Sequence, residues 1–178
     1  MKKVLILIIT IVIFISCSNN ESEIITEKTD FSGLYKIENI ISTENVDLND
    51  DNISSTDLMN EIPNYFENAD YDLIIRNLGK TDPYELLLSI YLPVPNEFIA
   101  EDFGLIDYNR YSSFIRINPF SKNKLINEGM EISNSTILNE MVVLDNSIIE
   151  SKSTQVFYDF STNIWRNLEI KIRYLKLD

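Results

Sequence analysis

From Phe31 onward, apolar residues recur mainly at every second position, the period of a half-buried β-strand. Tyr35, Ile37 and Ile41 fall on one side of the first such segment, with Lys36 and Glu38 opposed. Tyr71, Leu73 and Ile75 alternate with Asp72 and Arg76. Tyr84, Leu86, Leu88, Ile90 and Leu92 form a long apolar face, and Phe114 to Ile117 is a short β-like run. Met141 to Leu144 and Ile148-Ile149 flank Asp145-Asn146-Ser147, a hairpin-turn sequence. Thr154, Val156, Tyr158 and Phe160 alternate before the turn Ser161-Thr162-Asn163, and this parity sets Asp159 on the outside. The clearest strand is the last, where Leu168, Ile170, Ile172 and Tyr174 oppose Glu169, Lys171 and Arg173. Trp165, beside Arg166, opens that strand and is placed to plug one end of a barrel. Segment 94–104 lacks a strand pattern and reads as a helical turn or a lid.

About eight strands result, joined by turns with little room for helical crossovers, so the sheet is expected to be antiparallel. One buried and one wet face suit such a sheet, and closure on itself removes exposed edges. The expected fold class is mainly β: an antiparallel barrel or half-open barrel of about eight strands, with one short helix near 55–61.

The N-terminus has a different pattern. Met1-Lys2-Lys3 is followed by an uncharged, almost wholly apolar stretch from Val4 to Ser16. It is shorter than the roughly 17–25 residues of a membrane-spanning helix and fits a signal-peptide h-region. It ends at Ser16-Cys17-Ser18, around the single Cys of the chain. A small residue directly before this Cys resembles the lipobox of bacterial lipoproteins, with Phe14 where that family usually has Leu. The resemblance implies cleavage before Cys17, acylation of Cys17 and anchoring in a lipid bilayer. Each buried CH₂ of an acyl chain adds about 0.8 kcal/mol, and several chains make the anchor stable. Ser18 rather than Asp after the Cys implies the outer membrane. The expected organisation is a signal peptide over 1–16, a lipidated Cys and polar tether over 17–30, and one β domain over 31–178.

Composition then narrows the chemistry. The 178 residues contain no His, 15 Lys+Arg and 28 Asp+Glu, a formal net charge of -13. Loss of Lys2 and Lys3 with the signal peptide takes this to -15. A single Cys rules out an intramolecular disulfide, and the missing imidazole rules out Cys-His zinc sites and His-based nucleophile systems. Nucleic acid is not an expected partner, since a basic footprint supplies most of that affinity. The acidic balance attracts cations, Ca²⁺ among them.

The best candidate chemistry lies in Val46 to Glu61. Asp47, Asn49 and Asp51 alternate as do positions 1, 3 and 5 of an EF-hand-type loop, where a curling backbone converges oxygen ligands on Ca²⁺. Asn52 stands where Gly normally turns the chain, and Asn tolerates that left-handed conformation. Leu58 holds position 12, so Asp57 would have to swing in as the further ligand. The same residues also read as local backbone chemistry, with Asx turns at Asp47 or Asn49 and a capping-box pattern from Ser54 to Asp57 before a short helix.

Phe31-Ser32-Gly33-Leu34-Tyr35-Lys36-Ile37, Val46 to Asp51, and Ser55-Thr56-Asp57-Leu58 to Glu61 resemble the opening of lipocalin-like bacterial lipoproteins. Tyr35 stands for the commoner Trp and Asn52 for Gly. The resemblance covers about 30 residues, implies a small antiparallel barrel, and transfers no catalytic residue.

The expected function is a non-enzymatic envelope lipoprotein whose barrel binds a small apolar or glycan ligand. The alternatives are a structural or adhesive surface protein and a carboxylate hydrolase built on acid pairs such as Asp50-Asp51 or Glu101-Asp102, which needs two acids at a set separation.

Overall fold

The computed structural model describes residues 31–67, 69–79, 85–95, 108–121 and 123–178. The signal, Cys17 and tether expectations fall outside these residues, as do Tyr84, Glu101, Asp102 and most of 94–104. Among the described residues ten strands form one antiparallel sheet: β1 (Gly33–Val46), β2 (Ser55–Asp57), β3 (Leu73–Asn77), β4 (Leu86–Pro95), β5 (Tyr108–Ile117), β6 (Lys124–Ile126), β7 (Met130–Ser133), β8 (Thr136–Val143), β9 (Ile148–Asp159) and β10 (Ile164–Lys176). Two short helices, α1 (Leu58–Glu61) and α2 (Pro63–Glu67), lie between β2 and β3.

Eight strands follow one path, β5-β4-β3-β1-β10-β9-β8-β6, while β2 pairs with β1 and β7 with β8. The sheet curls until its two halves meet. Gln155 of β9 donates through Nε2 to the Pro93 carbonyl of β4, and the rings of Tyr108 on β5 and Phe157 on β9 lie 6.2 Å apart. Among the described residues β5 pairs only with β4, so the barrel is half open.

The inner face holds one apolar core. Leu86, Leu88, Ile90 and Leu92 of β4 and Leu168, Ile170, Ile172 and Tyr174 of β10 are all buried, as their alternation requires. Leu58, Ile62 and Phe66 of the helical segment join the same core. Outside, cross-strand ion pairs run over the wet face: Glu140 with Lys124 and Lys152, Glu150 with Lys171, and Glu38 with Arg173.

Several expectations are corrected here. A register shift between Ile37 and Asn39 inserts an extra residue into β1. Ile40 and Ser42 therefore turn inward and Ile41 outward. Ser55–Asp57 is a short strand rather than helix, and Asp57, not Ser54, caps α1 by accepting the Met59 N–H at 3.0 Å. β5 is longer than the Phe114 to Ile117 run, and Phe114 is exposed. Val94 and Pro95 belong to β4. Trp165 does not plug the barrel: it lies opposite Tyr158 on the outer face, 38% exposed. The turn at Asp145 forms as expected, with its carboxylate accepting the Ser147 N–H at 2.7 Å.

Candidate ligand-binding interior

β9 gives the interior its polar groups. Ile149, Ser151, Ser153, Gln155, Phe157 and Asp159 share one face of the strand and all are buried. The row expected to face inward, from Thr154 to Phe160, faces outward or stays half-buried. The inversion follows from what flanks the strand. In the register with β10, its apolar face of Leu168, Ile170, Ile172 and Tyr174 stands opposite Gln155, Ser153, Ser151 and Ile149, and this fixes the parity.

Thr136 of β8 lies directly opposite Gln155, and Leu138 opposite Ser153. Among the described residues, Thr136 Oγ1, Ser151 Oγ, Ser153 Oγ and Gln155 Oε1 have no hydrogen-bond partner. Each residue is about 1% exposed or less. Polar atoms left unpaired in an apolar interior are costly, about 1–3 kcal/mol each, so most such atoms in folded proteins are paired. Nearby phenols are shaped by the same dryness. Burial pushes Tyr174 well up, with the neighbouring Ser151 acting in the opposite direction. Burial likewise raises Tyr108, with a further push from the Glu61 charge.

Acids gather where β1 and β9 end. Asp159, expected outside, is 1% exposed. Its carboxylate accepts from Ser161 N–H at 3.0 Å, Ser161 Oγ at 2.6 Å, Thr162 Oγ1 at 2.9 Å and Arg166 at 3.0 Å, with the Asp47 N–H at 3.3 Å. Arg166 also pairs with Glu44. Burial alone would raise the Asp159 pKa, but these donors together bring it down to about 2. The turn after Asp159 is closed by Asn163 in the left-handed region, which lets Ser161 and Thr162 fold back on the carboxylate. Glu61 is also buried and accepts the Leu48 N–H at 2.9 Å. Burial raises its pKa, the Leu48 bond opposes this, and the Asp51, Asp47 and Asp159 charges add to the rise.

The residues of the calcium expectation fall into two groups. Asp47, Asn49 and Asp51 share one loop, in which Asp50 and Asn52 adopt left-handed φ values of 59° and 64°. Asp47 is buried and accepts from the N–H groups of Asp50 at 2.8 Å and Asn52 at 3.0 Å. Asn49 Oδ1 accepts from Asp51 N–H, and Asp51 Oδ1 from Ile53 N–H. Asp57 faces α1, accepting from Met59 N–H and Asn60 Nδ2. Among the described residues no three His, Cys, Asp or Glu side chains are grouped as a metal site needs.

Asp72 is a further buried acid missed by the alternation of its neighbours. It accepts from Ile37 N–H and Arg110, each at 2.9 Å, while its backbone bonds Tyr35 of β1 and Tyr91 of β4. Arg110 lies 4.5 Å over the Tyr91 ring, and Tyr71 packs edge-on against Tyr91. This clamp ties four strands together. On the opposite side of the sheet path, Tyr158 meets Phe160 and Trp165 edge-on at 5.0 and 5.3 Å, an aromatic cluster facing outward.

Thr136, Ser153 and Gln155 were not expected as site residues. Their signal was present: Ser151, Ser153 and Gln155 share the parity of Ile149 and Phe157, a polar row interleaved with large apolar ends.

An interior enclosed by about eight strands is just wide enough to be filled by side chains or to hold one small ligand. No family model and no curated protein matches the chain. Among solved structures, a complex of bovine odorant-binding protein with undecanal is similar over 90% of this chain and 78% of that one, at 12% identity and a TM-score of 0.36.

Proposed function

We propose that this is a non-enzymatic lipoprotein of the bacterial envelope, anchored in the outer membrane through acylated Cys17, whose half-barrel binds a small, largely apolar ligand. The observation that carries the binding role is the inward row of unpartnered polar atoms on Thr136, Ser153 and Gln155. Packing alone has no use for them, since apolar residues of similar size fill a core better. The absence of His from the whole chain supports a non-enzymatic role. So does the engagement of Asp47, Glu61 and Asp159 by N–H and O–H donors that hold loops in place.

The proposal is tested by purifying the full chain from native membranes and identifying what solvent extraction releases from it. A stoichiometric small amphiphile, enriched over a control membrane protein purified in the same way, is expected. No enrichment, or enrichment of a free glycan alone, contradicts the apolar-ligand reading.

The outer aromatic cluster of Tyr158, Phe160 and Trp165, with exposed Ile164 beside it, favours a second reading, adhesion through protein contacts. It sits at the start of β10, whereas Gly33 and Leu34 lie beside the strand's far end, where the Leu177 N–H bonds the Leu34 carbonyl. A strand of 13 residues separates the two ends by about 40 Å. A tether leading to Phe31 therefore presents the aromatic end away from the bilayer.

A further inference from the structure

The buried polar atoms restrict what the ligand carries. Gln155 Nε2 donates to the Pro93 carbonyl, which fixes the amide orientation and leaves Oε1 as a pure acceptor. Thr136 stands opposite on β8, with Cβ atoms about 5 Å apart for such a pair. Ser153 follows two residues along the same strand face, about 7 Å away. These three residues bring open polar atoms to one stretch of the inner wall, and Leu138 and Phe157 belong to the core around them. The charge of the surroundings is one-sided. The buried ionisable carboxylates are Asp47, Glu61, Asp72 and Asp159, and among the described residues no Lys or Arg is buried.

We propose that Thr136, Ser153 and Gln155 form a cradle for the neutral headgroup of an amphiphile, a hydroxyl or an amide N–H, and exclude a carboxylate. The inference rests on the small-ligand reading above and names its ligand class. A hydroxyl donates to Gln155 Oε1 and, with its two lone pairs, accepts from the Thr136 and Ser153 hydroxyls, so the open bonds of these three residues are closed. An ionised carboxylate has no proton for Oε1. It would also lose its hydration with no cation inside to replace it.

The test uses the full chain in lipid nanodiscs, with protein-free nanodiscs as the reference for partitioning. Binding of decanol, ionised decanoate and decane is titrated and followed by methyl NMR. Decanol is expected to bind at least about tenfold more tightly than either of the others, the effect of one hydrogen bond to a buried group. Gln155→Met and the near-isosteric Thr136→Val should each weaken decanol about tenfold and leave decane unchanged, with unfolding curves confirming that both fold. Decanoate binding as well as decanol overturns the cradle, and so does an unchanged decanol-to-decane ratio in both variants. In those cases the small-ligand reading survives. Binding of none of the three removes both.

Discussion

Asp159 and Glu61 lie at the same end of the barrel and respond to acid in opposite directions. The donors around Asp159 hold its pKa near 2, below the unfolded value near 3.9. The stability it contributes is complete above the unfolded value and is lost as pH falls through about 2. Glu61 is raised instead, so its protonated form favours folding. That contribution is complete below the unfolded value of about 4.3 and disappears as pH rises through the folded one. Two outcomes are expected from urea denaturation at a series of pH values. Asp159→Asn should cost about 2 kcal/mol at neutral pH, the loss of charge-assisted bonds in a buried site, with the deficit vanishing near pH 2. Glu61→Gln keeps an acceptor for Leu48 and removes the buried charge, so it should stabilise the fold at neutral pH and lose that advantage below about pH 4. Equal effects at all pH values would show that these carboxylates act by shape alone. Neither residue announces itself in the sequence: Asp159 alternates with Tyr158 and Phe160, the pattern of an outward acid, and its burial follows from a turn that folds back on it.

At the scale of elements, legibility depended on which residues faced inward. β10 was readable because Glu169, Lys171 and Arg173 oppose four apolar residues and nothing interrupts the period. β4 was readable from its inner row alone, Leu86, Leu88, Ile90 and Leu92. β9 was not, because its inner row is partly polar and its outer row carries Tyr158 and Phe160. In β1, the extra residue at the bulge leaves no local mark, yet it reverses every side chain beyond it. The polar row of β9 predicts a trade between stability and binding. Thr136→Val and Ser153→Ala remove unpartnered oxygens and should each raise unfolding free energy by about 1 kcal/mol while weakening ligand binding. Destabilisation by both would mean that these hydroxyls already serve the fold. The Asp47 loop carries a different prediction. Its carboxylate oxygens already serve the N–H groups of Asp50, Asn52 and Ile53, and Asp57 serves α1, so Ca²⁺ should leave the melting temperature unchanged. A saturable rise would establish the loop as a calcium site.

For the whole molecule, the alternation of apolar residues was enough to predict an antiparallel sheet, with a closed or a half-open barrel as the alternatives, and the capping pattern before Leu58 predicted the short helix. The route of the chain was not, because strand order depends on pairing between distant segments. The order that forms places the start of β1 beside the end of β10, and gathers the Asp47 loop, the β9–β10 turn and the polar row toward the other end. In the proposed arrangement Cys17 holds the first end near the bilayer and the polar row lies toward the end that faces away. Cys17→Ala should release the chain from membrane fractions while leaving its melting temperature unchanged; retention in the membrane would contradict lipid anchoring at that residue. The central claim is that the interior, not the outer aromatic face, is the working surface. Intermolecular nuclear Overhauser contacts between decanol and the full chain in deuterated nanodiscs test it most directly. The account predicts contacts to the methyls of Leu92, Leu138 and Leu168; contacts confined to the rings of Tyr158 and Trp165, or none above protein-free nanodiscs, would contradict it.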